Sequence, residues 1–182
     1  MRIRTYRLPM SPQAAGYVDR LVATSAVERW IAEALASPPS LEVPVLDRVE
    51  QIDAVVALVK DIVARHKIPP DRVLGHSDIA PGRKVDPGPM FPWKRLADEG
   101  LVRWPDATKV AALRPQYEQA LPDVAWFQQK LARFGYLVPL DGTLDEATRN
   151  VLVSFQMKYR PARYDGMPDA ECAALLAALT TP

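Results

Sequence analysis

The sequence has 182 residues, 48% hydrophobic and 25% charged, which fits one ordinary globular domain or two small ones. Its formal net charge of +1 gives no reason to expect a nucleic acid or an anionic membrane as partner. The single cysteine, Cys172, excludes an internal disulfide framework and a zinc cluster made of thiolates. No apolar run approaches the roughly 18 residues of a membrane span, and no signal peptide is visible at the N-terminus.

Residues 1–46 form a divergent N-terminal segment. An irregular helix is expected over 14–36, followed by a Ser/Pro linker at 37–40. Histidine is absent from this whole segment.

The next region, residues 47–110, has a clearer pattern. It predicts an amphipathic helix over 47–65, with Asp47 and Glu50 at the spacing of a capping box. The apolar positions that recur every three or four residues are Val49, Ile52, Val56, Val59 and Val63. A buried strand is expected over 72–75.

A short helix is expected next, with Pro92 in its first turn and Gly100 just past its end. The mixed, proline-containing stretch that follows is interpreted as the edge of this domain, with a linker at 111–120.

Residues 121–180 predict a unit of three short helices. The first carries an apolar stripe that ends before Gly135, and the second starts with a capping box of Thr143 and Glu146. Pro168 is expected to open the third helix. The apolar positions of the first and third helices are Val124, Phe127, Leu131, Phe134, Cys172, Leu175, Leu176 and Leu179.

The stretch 76–93 combines stiff prolines and flexible glycines with three side chains able to do chemistry: His76, Lys84 and Asp86. A histidine and a carboxylate are two of the three protein ligands that a catalytic zinc commonly has. If 84–86 is extended, Lys84 and Asp86 point the same way, and the ammonium can stabilise an oxyanion near the metal.

Spacing alone leaves another interpretation open. His76 can be a hydrogen-bonded histidine, Lys84 an exposed lysine and Asp86 a turn residue. Asp78 can cap the turn or take part in chemistry, and His66 is favoured as a residue of the helix end rather than a ligand.

The amino-acid sequence of residues 73–101 resembles the C-terminal part of the zinc-dependent N-acetylmuramoyl-L-alanine amidases. It reads VLGHSDIAPGRKVDPGPMFPWKRLADEGL. The resemblance runs from about residue 48 to 110. It implies an α/β fold with helices packed on a small or truncated mixed sheet. It also implies that His76 and Asp86 bind Zn²⁺ and that Lys84 assists at the scissile carbonyl.

Two stretches resemble a three-helix, all-α peptidoglycan-binding domain. They are residues 126–156, WFQQKLARFGYLVPLDGTLDEATRNVLVSFQ, and residues 165–179, DGMPDAECAALLAAL. Both resemblances imply peptidoglycan or muropeptides as partner and the cell envelope or periplasm as location. Since no signal peptide is visible, the cytoplasm stays open, as does the oligomeric state.

Members of the amidase family bring a further zinc-ligating histidine and a catalytic glutamate from early strands. Residues 1–46 offer no histidine, and Glu28, Glu33 and Glu42 lie in segments that do not resemble those strands. Two hypotheses follow from the sequence. One is an amidase that cleaves the bond between N-acetylmuramic acid and L-alanine; the other is an inactive, truncated amidase that binds peptidoglycan.

Overall fold

The computed structural model describes residues 48–181, and the regular secondary structure of these residues is helical. The helices are α1 (Arg48–His66), α2 (His76–Ile79), α3 (Trp93–Asp98), α4 (Ala107–Gln119), α5 (Val124–Phe134), α6 (Glu146–Tyr159) and α7 (Ala170–Thr180), with one 3-10 turn at Pro70–Arg72. The expected helix over 14–36 and the capping box of Asp47 and Glu50 lie outside the described side chains.

No strand occurs within residues 48–181, so the mixed sheet expected from the family is not confirmed there. The predicted strand at 72–75 is wrong. Pro70 instead starts a 3-10 turn after the extended Pro69, and Leu74 is 47% exposed. Two apolar residues between a proline pair and a glycine are too few to bury a strand face.

A first small core forms between α1 and α3. The predicted stripe of α1 is confirmed, since Val56 is buried and Ile52, Val59 and Val63 pack around it. The predicted short helix is also confirmed as α3. The buried members of this core are Val56, Trp93, Leu96, Leu101 and Val102.

A second, larger core is built by α4 to α7, and the predicted apolar faces of α5 and α7 are confirmed. Its most buried side chains are Phe127, Leu131, Leu152, Phe155, Cys172 and Leu176. Helix α6 is buried on nearly all sides from Ser154 to Tyr159. A helix surrounded in this way organises the packing of its neighbours.

The predicted start of α6 needs correction. Its N-cap is Asp145, whose carboxylate accepts from the Thr148 N–H at 2.7 Å, and Thr143 is not the cap. The Thr143 carbonyl instead accepts from the buried Gln128 amide at 3.0 Å. Helix α7 is likewise capped by Asp169 rather than opened by Pro168. Aspartate is as good an N-cap as threonine, and here it lies directly before the helix.

Helix α4 spans the segment predicted as a linker. Its N-cap is Asp106, Pro115 lies inside it, and it packs along α7 with Tyr117 buried in the second core. The core of 121–180 is therefore extended by a helix that precedes it in the chain. The division into 47–110, 111–120 and 121–180 stays a prediction.

The two cores are joined by a buried ion pair between Asp78 of α2 and Lys158 of α6. Oδ2 of Asp78 lies 2.9 Å from Nζ of Lys158, and the two side chains are only 5% and 4% exposed. The same carboxylate accepts from the Tyr136 hydroxyl at 2.6 Å and from the Gly75 N–H at 2.8 Å. Both oxygens of the Asp78 carboxylate thus accept hydrogen bonds from groups inside the protein.

Tyr136 and Trp93 complete this junction. Burial raises the pKa of the Tyr136 hydroxyl well above its usual value, and the Asp78 charge raises it further, so the hydroxyl stays a donor. The Lys158 ammonium lies 4.3 Å from the centroid of the Trp93 ring, a cation–π distance. Lys158, which belongs to α6 of the second core, therefore contacts Trp93 of the first core.

We expect Lys158→Met to destabilise the fold by about 3–5 kcal/mol, because it leaves a buried carboxylate without its cation. The free energy of unfolding from denaturant titration measures this. Lys94→Met, which removes only an exposed pair with Asp98, should change little.

The double variant Asp78→Asn/Lys158→Met removes both charges and should recover part of the lost stability. Equal stability of Lys158→Met and the Lys94→Met control would show that the buried pair does not hold the cores together.

A second prediction concerns Cys172, which is fully buried in α7. Burial raises the pKa of its thiol to about 12, so almost no thiolate exists at pH 8. Iodoacetamide at pH 8 should leave the native protein unlabelled and should modify Cys172 after denaturation, as read by intact mass. Rapid labelling of the native protein would contradict this burial.

Candidate functional site

His76 and Asp86 lie side by side at the surface. His76 Nδ1 is 3.1 Å from Asp86 Oδ2, and the two side chains are 44% and 63% exposed. The Ser77 N–H donates to the Asp86 carbonyl at 3.0 Å, so the backbone itself joins the two ends of the intervening loop. The structure thus brings together the two residues that the sequence singled out as ligands, and leaves them open to solvent.

Gly75, the residue before α2, allows this close approach. A Cβ at Gly75 would lie 2.9 Å from Pro87 Cδ, closer than real contacts allow, and 3.0 Å from Trp93 Cζ2, which is a tight contact. Pro87 directly follows Asp86. A larger residue at position 75 would therefore push the Asp86 end of the loop away from His76.

Lys84 ends a turn formed by residues 80–84 and precedes Asp86 by two positions in the sequence. The Ala80 carbonyl accepts from the N–H groups of Arg83 at 3.1 Å and Lys84 at 3.0 Å. Gly82 in the turn has φ +76°, a left-handed conformation that suits glycine. The Lys84 side chain is exposed and makes no hydrogen bond or ion pair with another residue of 48–181, so its role stays a prediction.

Asp78 and His66, the two other candidates from the sequence, occupy positions with a structural explanation. Asp78 caps the backbone at Gly75, and its carboxylate is occupied by Lys158 and Tyr136. His66 is exposed at the C-terminal end of α1. Asp78 is therefore unavailable to a ligand.

The sequence reasoning missed Lys158 and Tyr136. A signal existed for Lys158, because it lies in the run VLVSFQMKY of a helix with apolar residues on nearly every side. A cation in such a position needs a partner. Nothing in the sequence identified Asp78 as that partner, since the two residues are 80 positions apart.

The chemistry of the pair fits two ligands of one zinc ion. Imidazole nitrogen and carboxylate oxygen both bind zinc at about 2.0–2.2 Å, which places two tetrahedral ligand atoms roughly 3.3–3.6 Å apart. The observed 3.1 Å is close to that spacing. In the described part of the chain, no cluster of three or more His, Cys, Asp or Glu side chains could hold a metal ion, so the pair stands alone there.

Comparison with known proteins gives two family matches. Residues 47–89 match the N-acetylmuramoyl-L-alanine amidase family, and residues 121–176 match a peptidoglycan binding domain family. The site pair lies inside the first match and Lys158 inside the second. No helix of residues 48–181 has the length and apolar character needed to cross a membrane.

Curated relatives agree with these matches. The chain is 47% identical over 130 residues to the N-acetylmuramoyl-L-alanine amidase AmiD of Escherichia coli K12, covering 71% of this chain and 47% of AmiD. It is 47% identical over 46 residues to the 1,6-anhydro-N-acetylmuramyl-L-alanine amidase AmpD of Enterobacter cloacae, covering 25% of each. The chain thus spans about half the length of AmiD and a quarter of AmpD.

Two solved structures are similar. One is E. coli AmiD in complex with anhydro-N-acetylmuramic acid-L-Ala-D-γ-Glu-L-Lys, with a TM-score of 0.62, 43% identity, and coverage of 71% of this chain and 51% of AmiD. The other is AmpDh3 of Pseudomonas aeruginosa with anhydromuramic pentapeptide, with a TM-score of 0.67, 41% identity, and coverage of 73% and 52%.

The resemblance inferred from the sequence is confirmed: a segment that matches the N-acetylmuramoyl-L-alanine amidase family is followed by one that matches a peptidoglycan binding domain family, and the chain is similar to AmiD over 130 residues.

Proposed function

We propose that the chain is a zinc-dependent N-acetylmuramoyl-L-alanine amidase, which hydrolyses the amide between N-acetylmuramic acid and L-alanine in peptidoglycan or muropeptides. The observation that carries the proposal is the exposed pair of His76 and Asp86, 3.1 Å apart in a segment that matches the amidase family. A nitrogen and a carboxylate oxygen at this separation, open to solvent, suit a catalytic metal that must also admit substrate.

His76 and Asp86 would hold the zinc ion. Zinc, when bound, lowers the pKa of a coordinated water and polarises a carbonyl. The Gly75 close contact and the hydrogen bond from Ser77 to Asp86 keep the two ligand side chains together without help from the metal. A preformed pair loses little conformational freedom when the ion binds.

Lys84 is the proposed oxyanion-stabilising residue. Its ammonium has no other partner within residues 48–181 and lies two positions from Asp86. A cation without a partner among the described residues is available to the negative charge that develops on the carbonyl oxygen.

A third protein ligand would complete the usual set. Residues 1–47 contain no histidine, and Cys172 is buried in the second core. The carboxylates of residues 1–47 are Asp19, Glu28, Glu33, Glu42 and Asp47.

Residues 121–180 are proposed to hold the polymer while the amide is cleaved. Two similar structures contain anhydromuramic peptides, and the family match over 121–176 concerns peptidoglycan binding. The proposed place of action is the cell envelope, where this polymer lies.

His76→Ala and Asp86→Ala should each abolish zinc retention and muropeptide release, because each removes half of the described ligand pair. Metal content after dialysis and chromatography of released peptides measure the two effects. His66→Ala is the matched control, since His66 is exposed at the end of α1. Unchanged zinc content in the two site variants would refute the ligand assignment.

Lys84→Met should lower kcat by about 100-fold or more while zinc content stays normal, as expected for loss of an oxyanion partner. Lys94→Met, on the neighbouring α3, is the control and should retain full activity. A KM increase with unchanged kcat would instead place Lys84 in ground-state binding.

The alternative hypothesis, an inactive protein that binds peptidoglycan, predicts a different result in these experiments. If the wild-type chain holds no zinc and releases no peptide but still sediments with purified sacculi, it is a peptidoglycan-binding protein and the amidase proposal fails.

A further inference from the structure

A cleft of about 760 Å³ lies where the two family segments meet. One wall comes from 71–83, which includes α2, and the other from the end of α5, the loop after it and the start of α6. The lining side chains that matter are Arg72, Leu74, Ile79, Arg83, Leu137 and Asn150. Its size lies within the range of small-molecule sites.

The cleft exposes apolar side chains from both walls. Ile79 is 68% exposed, Leu74 47%, and Leu137, on the opposite wall, 97%. Large aliphatic side chains exposed together beside a concave surface are typical of a binding site.

The charge in the cleft is positive. Within residues 48–181, the guanidinium groups of Arg72 and Arg83 make no hydrogen bond or ion pair. Of the two acidic residues in the lining, Asp71 is exposed, whereas the Asp78 carboxylate is already neutralised by Lys158. Two unpaired guanidinium groups against one exposed carboxylate favour a ligand that carries carboxylates.

The walls are held in place before any ligand arrives. The buried pair of Asp78 and Lys158 ties α2 to α6 directly beside the cleft. The turn at Gly82 also packs so closely on Asn150 that any side chain at position 82 would overlap the Asn150 amide. A preformed cleft binds a short flexible peptide at a lower entropic cost than a mobile one.

We propose that this cleft binds a peptidoglycan stem peptide, a second one beside the stem whose amide faces His76 and Asp86. The inference rests on the proposed function. Stem peptides offer free carboxylates to Arg72 and Arg83 and small apolar side chains to Ile79 and Leu137, whereas the glycan offers mainly hydroxyl groups. Bound there, a neighbouring stem would hold the polymer across both segments of the chain.

The probe for the test is the free tripeptide L-Ala-D-γ-Glu-L-Lys, compared with its diamide, by calorimetry on the full chain. Arg72→Gln/Arg83→Gln should weaken tripeptide binding by about tenfold for each guanidinium removed. The diamide should bind the wild type as weakly as the tripeptide binds this variant.

Control variants distinguish binding in the cleft from a general effect of the protein's net charge. Arg65→Gln/Arg114→Gln makes the same change in net charge at exposed helix positions outside the cleft and should bind normally. Leu137→Asp places a negative charge in the cleft at a fully exposed position and should weaken binding, whereas Leu121→Asp, outside it, should not.

Normal tripeptide binding by Arg72→Gln/Arg83→Gln would overturn the inference. Sacculus binding and muropeptide release by the wild type are measured in parallel. If these persist while the tripeptide does not bind, only the cleft assignment fails; if they are absent, the proposed function fails as well.

Discussion

The buried ion pair of Asp78 and Lys158 is the constraint on which the described structure depends. Asp78 lies two residues after a proposed zinc ligand, and Lys158 lies in the last turn of α6, where every residue from Ser154 to Tyr159 is buried. Burying two charges is costly, and the cost is offset here by the Tyr136 hydroxyl, the Gly75 N–H and the Trp93 ring. Such a pair tolerates little displacement, so α2 has a defined position on α6.

This arrangement gives the loop from 76 to 93 two kinds of support. From within, the Gly75 contact with Pro87 and the hydrogen bond between Ser77 and Asp86 close the loop on itself. From outside, α6 holds the helix that begins the loop. The exposed side chains of His76 and Asp86 therefore stand on a fixed backbone, which is the usual requirement for a metal site on a loop.

The sequence predicted much of this correctly where the pattern was local. The amphipathic stripe of α1, the apolar faces of α5 and α7, and the resemblance around His76 and Asp86 all lie within short stretches. Prediction failed where the outcome depended on distant partners. The apolar residues at 73 and 74 suggested a strand, yet no strand pairs with them among residues 48–181. The contact between Asp78 and Lys158 joins residues 80 positions apart, and no periodicity reports on it.

The packing of α4 determines where the binding domain can be cut when it is fused to another protein. The binding-domain match begins at residue 121, yet Tyr117 of α4 is buried in the same core as Phe127 and Leu176. The folding unit is therefore longer than the segment that sequence comparison recognises. A cassette cut at residue 121 and fused to another enzyme would lack one side of its core, whereas a cut before the N-cap at Asp106 would carry the whole four-helix module.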